Sequence, residues 1–199
     1  MIVLGLTGSI AMGKTETAKM FAARGVPVFD SDRAVHALYA QGGSAVPKVA
    51  ALAPDAIVDG SVDRGRLASL VQTQPSLLGR IESVVHPLVE AMQREFLKNA
   101  AAEGTDMVML DIPLLFEKGR EDDVDVIIVV SAGEQLQRQR ALSRAGMTAE
   151  KLDFILARQL PDPEKRARAD YVIDTSENPA ETAREVERVI ADVRRKASQ

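Results

Sequence analysis

Residues 8–15 match the phosphate-loop pattern G-x-x-x-x-G-K-[ST] at every fixed position. An apolar run at residues 2–6 precedes this phosphate loop, and a helix-compatible stretch at residues 15–24, closed by Gly25, follows it. Strand, glycine loop and helix is the context in which the motif binds phosphate, because loop N–H groups and the helix N-terminus face the ligand. We expect Lys14 to reach the terminal phosphates and the Thr15 hydroxyl to ligate Mg²⁺. The alternative is a glycine-containing turn with a surface lysine.

Five short apolar runs recur along the chain, at residues 2–6, 26–29, 107–110, 126–130 and 171–173. Each is apolar on both faces and far from the next, which is typical of buried parallel strands with helical crossovers. Asn178 and Pro179 are expected to start the last helix, in which apolar residues repeat at Val186, Val189, Ile190 and Val193. The pattern predicts an α/β fold with a doubly wound, five-stranded parallel sheet.

Composition disfavours several kinds of function. The net charge is −4 and aromatic residues make up 4% with no Trp, so we expect no nucleic-acid partner. The chain has no cysteine and therefore no thiolate metal site or cysteine nucleophile. The apolar run at residues 2–6 leaves no room for a signal peptide, and no run approaches the ~20 residues of a membrane helix. We expect a cytoplasmic protein without a membrane partner, as a monomer or small homo-oligomer.

A first insertion, residues 32–104, interrupts the strand and helix alternation. It is predicted to be mostly helical, with breaks at Pro47, Pro54, Pro75 and Pro87. Because it is too long for a simple crossover, we expect it to project from the sheet. Residues 1–31, 105–132 and 170–199 remain as the predicted nucleotide-binding core.

A second insertion, residues 133–169, is rich in positive charge. From residue 138 to residue 168 it has eight basic and four acidic side chains. Arg140 and Arg144 are four residues apart and are expected to share a helix face. Beside a phosphate loop, this pattern favours a lid that closes over phosphates. The alternative is a solvated, charged helix.

Two carboxylates follow the second apolar run. Asp30 and Asp32 lie at its carboxyl end, where ligands bind in doubly wound sheets. In an extended segment alternate side chains point the same way, so both are expected to face the cleft. We predict that Asp32 is functional. The alternative is helix capping, for which Asp30 or Ser31 is well suited.

Asp111 closes the third apolar run. An acidic residue at this position resembles the carboxylate that supports Mg²⁺ in phosphate-loop proteins, often through water. The alternative is a turn aspartate ahead of Pro113. His86 precedes Pro87, and a lone histidine by itself indicates a packed structural residue.

Taken together, these segments resemble the bacterial dephospho-CoA kinase family. The similarity runs in family order over nearly the whole chain and includes residues 4–15, 28–32, 63–67, 81–89, 111–117 and 169–174. Gln137, Arg140, Arg144, Gln159 and Lys165 also match. The phosphate loop alone is generic, whereas the D-x-D, H-P and D-x-P-L-L-F-E segments are far more specific.

The resemblance implies a P-loop NTPase fold of the nucleoside-monophosphate-kinase type. It also implies ATP-dependent phosphorylation of the ribose 3′-hydroxyl of 3′-dephospho-CoA, with Mg²⁺, to give CoA and ADP in the last step of coenzyme A biosynthesis. The family's helical substrate-binding region and lid coincide with the first and second insertions. Its catalytic base falls on Asp32.

The resemblance further implies a set of site residues. The catalytic residues are Asp32, Lys14 and Arg140. The ATP-binding residues are Gly8, Ala11, Met12, Gly13, Lys14, Thr15, Glu16, Arg140, Arg144 and Asp174. The substrate-binding residues are Asp32, Arg64, His86, Leu114 and Phe116. The metal residues are Thr15 and Asp111, with the Mg²⁺ held directly or through water.

Three positions depart from the family pattern. Glu16 replaces a small polar residue beside the α-phosphate, where its charge is repelled unless it points outward, although its backbone N–H still serves. A lid arginine is replaced by Ile155, for which Arg158 is expected to substitute on the same helix face. The usual Asn after Val-Ile-Asp is Thr175.

Two other classes of protein also use a phosphate loop. A GTP-dependent switch requires N-K-x-D and D-x-x-G, and neither string occurs in the sequence. A phosphate-loop kinase for another small acceptor would share the core and lid, and only the first insertion would distinguish it.

Overall fold

The structure is a computed structural model and describes residues 1–198. The strands are β1 (Ile2–Thr7), β2 (Val28–Asp30), β3 (Ile57–Val58), β4 (Ser61–Val62), β5 (Met107–Asp111), β6 (Val126–Ser131) and β7 (Tyr171–Asp174). The helices are α1 (Lys14–Ala22), α2 (Ser31–Tyr39), α3 (Val46–Leu52), α4 (Arg64–Thr73), α5 (Ser76–Ala102), α6 (Glu134–Leu142), α7 (Ala149–Leu156), α8 (Asp162–Ala167) and α9 (Pro179–Ala197). Short 3-10 helices span Pro54–Ala56 and Glu121–Asp123.

The main sheet has five strands in the order β2-β5-β1-β6-β7, which confirms the predicted α/β fold. The central strand β1 is parallel to both neighbours, with Leu6 opposite Asp111 of β5 and Ile128 of β6. All five predicted runs form strands, although the second begins at Val28 rather than Val26. The parallel arrangement brings the carboxyl ends of β1 and β5 to one edge, where phosphate-loop proteins bind ligands.

Chain contacts divide the protein into two compact units. The first contains Met1–Phe29 and the residues from Ala100 onward, and the second contains Asp30–Asn99. In the first unit, buried β1 side chains pack with Phe21 of α1 and with the apolar face of α9.

The predicted last helix is confirmed as α9. Its N-cap Asn178 accepts hydrogen bonds from the N–H groups of Ala180 and Glu181 at 2.9 and 3.1 Å.

The second unit has its own apolar cluster, formed by side chains from α2 to α5 that include Leu38, Val49, Leu67, Ile81 and Val85. The antiparallel strands β3 and β4 form a hairpin in which Ile57 pairs with Val62. Asp59 and Gly60 connect the strands at φ of 47° and 72°, as a tight two-residue hairpin turn requires. No pattern in the sequence predicted this hairpin.

The predicted helix break at Pro87 is wrong, because Pro87 lies inside the 27-residue helix α5. A proline removes one N–H donor and bends a helix. In a long helix the remaining hydrogen bonds and the apolar packing can still keep the helix continuous through the proline. Val85 beside it is 4% exposed. Pro47 lies in the first turn of α3 and Pro54 starts a 3-10 helix, so these two prolines do mark boundaries. Within residues 1–198, no helix has both the length and the apolar character required to cross a membrane.

Candidate active site

The phosphate loop connects β1 to α1 through an unusual backbone path. Ala11 and Gly13 adopt left-handed conformations with φ of 62° and 94°. A Cβ atom on Gly8 would lie 2.5 Å from Cγ2 of Val130, so the loop can approach β6 only with glycine there. Gly13 occupies the N-cap of α1 and has no side chain to cap it. The first N–H groups of α1 therefore point toward a position suited to an anion.

Two glutamines of the second insertion hold the phosphate loop at Ile10. The side-chain amide of Gln137 donates to the Ile10 carbonyl at 2.9 Å, and the Ile10 N–H donates to Oε1 of Gln159 at 3.0 Å. Gln137 is 5% exposed, and a buried amide that satisfies backbone groups fixes their geometry. Both glutamines match the family pattern, but no role could be predicted for them. Their spacing in the chain does not reveal that both contact Ile10.

Lys14 and Asp111 form an ion pair at the adjoining ends of β1 and β5. Their side chains are 17% and 6% exposed. The structure thus brings together the lysine predicted to reach phosphate and the carboxylate predicted to support the metal. Thr15 follows in the first turn of α1 and is exposed. The Glu16 side chain is 69% exposed and pairs with Lys19 at 2.8 Å, so it points outward.

Asp30 and Asp32 have different structural roles. Asp30 is the N-cap of α2 and accepts a hydrogen bond from the N–H of Arg33 at 2.9 Å. Ser31 and Asp32 are already helical, so the expectation that both carboxylates alternate along an extended segment is wrong. The physical reason is the cap itself, which starts the helix directly after the strand. Asp32 is exposed in the first turn of α2, and the capping role falls to Asp30.

The two arginines of the predicted lid, Arg140 and Arg144, do not share a helix face, so that prediction is wrong. Arg140 lies in α6 and donates to Thr175 twice, from Nη1 to the hydroxyl at 3.2 Å and from Nη2 to the carbonyl at 2.7 Å. Arg144 lies beyond α6, which ends at Leu142, and it is exposed. A four-residue spacing indicates one face only while the helix continues.

Several other basic side chains of the second insertion pair within the protein. Arg138 pairs with Asp153 at 2.8 Å, and the Arg158 guanidinium lies 3.3 Å from the centroid of the Phe154 ring. Arg158 follows the end of α7 at Leu156, so the expected shared helix face with Ile155 is also wrong. The Arg138–Asp153 pair reduces the net charge that the insertion can offer to an anion.

Lys165 and Glu117 form the most buried of these pairs. The Lys165 Nζ atom lies 2.8 Å from Oε1 of Glu117, and the two side chains are 0% and 14% exposed. The N–H of Leu160 donates to the same carboxylate oxygen at 2.7 Å. Burial alone would raise the pKa of Glu117, but Lys165 and two backbone N–H groups outweigh it and hold the pKa below the ordinary value. The pair joins the segment after β5 to helix α8.

Replacing Lys165 with methionine should destabilise the protein by about 3 kcal/mol, because the Glu117 carboxylate loses its cation in a buried environment. Adding Glu117→Gln should restore part of this loss. The lowered pKa means that the pair's contribution is fully present above about pH 4.5 and is lost as the pH falls through the folded-state value. Urea unfolding at several pH values measures both effects. The control is Arg184→Met, which removes an exposed pair with Glu181. Equal losses for the two single variants would contradict the prediction.

The remaining predicted residues fall in both units. In the second unit, Arg64 and His86 line a cavity of about 500 Å³ together with Tyr39, whose pKa is raised by burial despite the nearby Arg64 charge. In the first unit, Leu114 has φ of 61°, and Phe116 is 7% exposed. The Arg168 guanidinium lies 4.6 Å from the centroid of the Phe116 ring. Little of that ring is accessible to a substrate.

Asp174 ends β7 and shapes the turn that follows. Its carboxylate accepts a hydrogen bond from the N–H of Ser176 at 2.7 Å. Hydrogen bonds from Ser176 lower the pKa of Asp174. Thr175, the next residue, is 6% exposed and contacts the phosphate loop.

The five-stranded parallel sheet, the phosphate loop and the Lys14–Asp111 pair define a P-loop kinase fold. The family model for dephospho-CoA kinase matches residues 2–181. The chain belongs to the dephospho-CoA kinase family, which transfers phosphate to an alcohol in the last step of CoA biosynthesis. The resemblance predicted from the sequence is confirmed.

Individual relatives support this assignment over nearly the full length. A dephospho-CoA kinase from Rhizobium etli is 52% identical over 194 residues, which cover 98% of this chain and 95% of the relative. The crystal structure of TT1252 from Thermus thermophilus is 34% identical with a TM-score of 0.81, covering 96% of this chain and 97% of that one. A dephospho-CoA kinase structure from Campylobacter jejuni, 21% identical over 96% of each chain, has a TM-score of 0.72 and shows the same fold.

Proposed function

We propose that this chain transfers the γ-phosphoryl group of ATP to the ribose 3′-hydroxyl of 3′-dephospho-CoA. The observation that carries the proposal is the Lys14–Asp111 pair beside the phosphate loop, at the carboxyl edge of the sheet. A cation and a buried carboxylate next to helix N–H groups suit a nucleoside triphosphate and its metal ion. Membership of the dephospho-CoA kinase family supports the choice of donor and acceptor.

The protein groups near the phosphate loop fit Mg²⁺. Residues 1–198 contain no group of three or more His, Cys, Asp or Glu side chains placed to hold a metal. Mg²⁺ does not need such a group, since it keeps several waters and binds through one or two protein oxygens plus substrate phosphates. Asp111 and Thr15 are the residues that would hold it. When bound, the ion neutralises charge on the phosphate oxygens.

Asp32 is proposed as the catalytic base. The ribose 3′-oxygen attacks the γ-phosphorus, the bond from that phosphorus to the β,γ-bridging oxygen breaks, and ADP leaves. The hydroxyl proton passes to the Asp32 carboxylate, which also orients the oxygen for in-line attack. Its position supports this role because Asp32 is exposed in the first turn of α2, whereas Asp30 is held in the cap.

Arg140 and Arg144 are proposed to contact the ATP phosphates from the second insertion. A guanidinium has five N–H donors in a fixed plane, and Arg140 directs two of them at Thr175. The remaining donors can serve phosphate oxygens while the group stays oriented. Asp174 is proposed to contact the nucleotide at the end of β7, next to Thr175.

Arg64 and His86 are proposed to bind the acceptor within the second unit. They line one cavity whose other walls are mainly apolar, including Val35 and Leu67. A cationic residue at an apolar cavity suits a ligand that combines phosphate groups with less polar parts, as dephospho-CoA does. Leu114 and the small accessible part of Phe116 are also proposed to bind the acceptor.

The acceptor is tested by ADP release across a panel of dephospho-CoA, adenosine, AMP, shikimate and gluconate at equal ATP and Mg²⁺. We expect dephospho-CoA to exceed every other acceptor in kcat/KM by at least about 10²-fold, because specificity is the difference in transition-state binding. Reactions without acceptor measure ATP hydrolysis and are subtracted. A preference for shikimate or gluconate would assign the first insertion to a different small acceptor.

A further inference from the structure

Thr175 joins three segments of the first unit. Its N–H donates to the Ser131 carbonyl at the end of β6 at 2.8 Å. Its hydroxyl donates to the Met12 carbonyl in the phosphate loop at 2.8 Å, and both its hydroxyl and its carbonyl accept from Arg140 of α6. The side chain is almost completely buried. One residue therefore links the sheet, the phosphate loop and a predicted lid arginine.

The hydroxyl is suited to this double contact. A hydroxyl carries one donor and two acceptor lone pairs. The donor is directed at the Met12 carbonyl, since the alternative acceptor, the Ser131 carbonyl, is farther away at 3.4 Å. The lone pairs are then available to the Arg140 guanidinium. Met12 and Arg140 therefore share the hydroxyl oxygen, and Arg140 has a second contact with the Thr175 carbonyl.

Thr175 also packs against the phosphate loop at Gly13. A Cβ atom built on Gly13 would lie 3.0 Å from the Thr175 hydroxyl oxygen and 3.2 Å from its methyl carbon. Gly13 is the N-cap of α1, immediately before Lys14. The Thr175 side chain thus packs against the end of the loop, directly before the first N–H groups of α1.

We propose that Thr175 is a positioning residue for nucleotide binding, because its hydroxyl fixes the Met12 carbonyl and the Arg140 guanidinium in one arrangement. The proposal rests on the proposed function in taking the phosphate loop as the nucleotide site. It assigns no chemical step to Thr175. The residue acts through the loop N–H groups and through Arg140.

The test measures ADP binding by calorimetry, with Mg²⁺ and without any acceptor. Thr175→Val keeps the shape of the side chain and removes the hydroxyl, and it should raise the ADP Kd by about tenfold, the usual effect of losing such hydrogen bonds. Thr175→Ser keeps the hydroxyl and should restore ADP affinity to within about twofold of wild type. The matched control is Thr73→Val, which removes a hydroxyl that donates to the Leu70 carbonyl at 2.9 Å in α4.

A double-mutant cycle separates positioning from packing. Arg140→Ala and Thr175→Val should be less than additive on the ADP Kd, because the hydroxyl that the second change removes is one of the two Thr175 groups that orient the arginine. Thermal unfolding is measured for each variant. If Thr175→Val does not fold, Thr175→Ala takes its place, since a smaller side chain cannot clash with Gly13.

Wild-type ADP affinity in the folded Val or Ala variant would overturn the proposal. Equal losses in the Ser variant and in the Val or Ala variant would also overturn it, since packing rather than the hydroxyl would then be responsible. A failed acceptor panel with ADP binding as expected would refute the proposed acceptor and leave the role of Thr175 standing.

Discussion

Replacing Lys14 with alanine is expected to lower kcat by about 10³-fold or more while the protein stays folded. Lys14 stabilises charge on the transferring phosphoryl group, and one positioned donor in a water-poor site accounts for an effect of this size. The Lys14 side chain is held in one orientation, because its ammonium group pairs with Asp111 at the end of β5. ADP release and thermal unfolding are measured on the same samples.

Lys19→Ala is the matched control for the Lys14 variant. Lys19 lies in the same helix and pairs with Glu16 in an exposed position, so its loss should leave turnover unchanged. Turnover near the wild-type value in the Lys14→Ala variant would refute the assignment of residues 8–15 as the site of phosphoryl transfer.

Replacing Asp32 with asparagine is expected to lower kcat by roughly 10²-fold or more, the scale of a positioned general base. Asparagine keeps the size and most hydrogen bonds but cannot accept the ribose hydroxyl proton. The ADP Kd should change little, since the phosphate loop holds the nucleotide. Single-turnover kinetics with dephospho-CoA separate the chemical step from product release.

Asp30→Asn provides the control for Asp32→Asn. Asparagine caps helices about as well as aspartate, so α2 should form normally and activity should change far less. The reverse result, an inactive Asp30 variant beside an active Asp32 variant, would show that the base has been assigned to the wrong carboxylate.

The sheet was predictable because its central strands are largely buried on both faces and all five strands appear in the sequence as apolar runs. Ile2–Thr7 and Val126–Ser131 are such strands, and predicted and observed bounds differ there by one residue. The hairpin of β3 and β4 was not predictable in the same way, because strands of two residues show no periodicity. The helix break predicted at Pro87 was wrong for a different reason. A proline weakens a helix locally, but packing along the rest of α5 decides whether the helix continues.

The candidate site was predictable where a residue's position depends on a motif. Lys14 and Asp111 meet because the phosphate loop follows β1, Asp111 ends β5, and these two strands are neighbours in the sheet. The shared helix face of Arg140 and Arg144 was wrongly predicted because helix ends are the least certain feature of a sequence pattern, and α6 stops at Leu142, before Arg144. The contacts of Gln137 and Thr175 with the loop depend on tertiary packing of distant segments, which no local pattern records.

The position of β1 at the centre of the sheet has a consequence for how the chain acquires its structure during synthesis. Both neighbours of this strand, β5 and β6, come from residues 107–131, more than 100 residues later. The intervening Asp30–Asn99 unit is one continuous stretch with its own apolar cluster, so none of its internal contacts has to wait for later residues. We therefore expect the inserted unit to become ordered on the ribosome first. The N-terminal strand should remain unpaired, with its apolar side chains exposed, until more than half of the polypeptide has emerged.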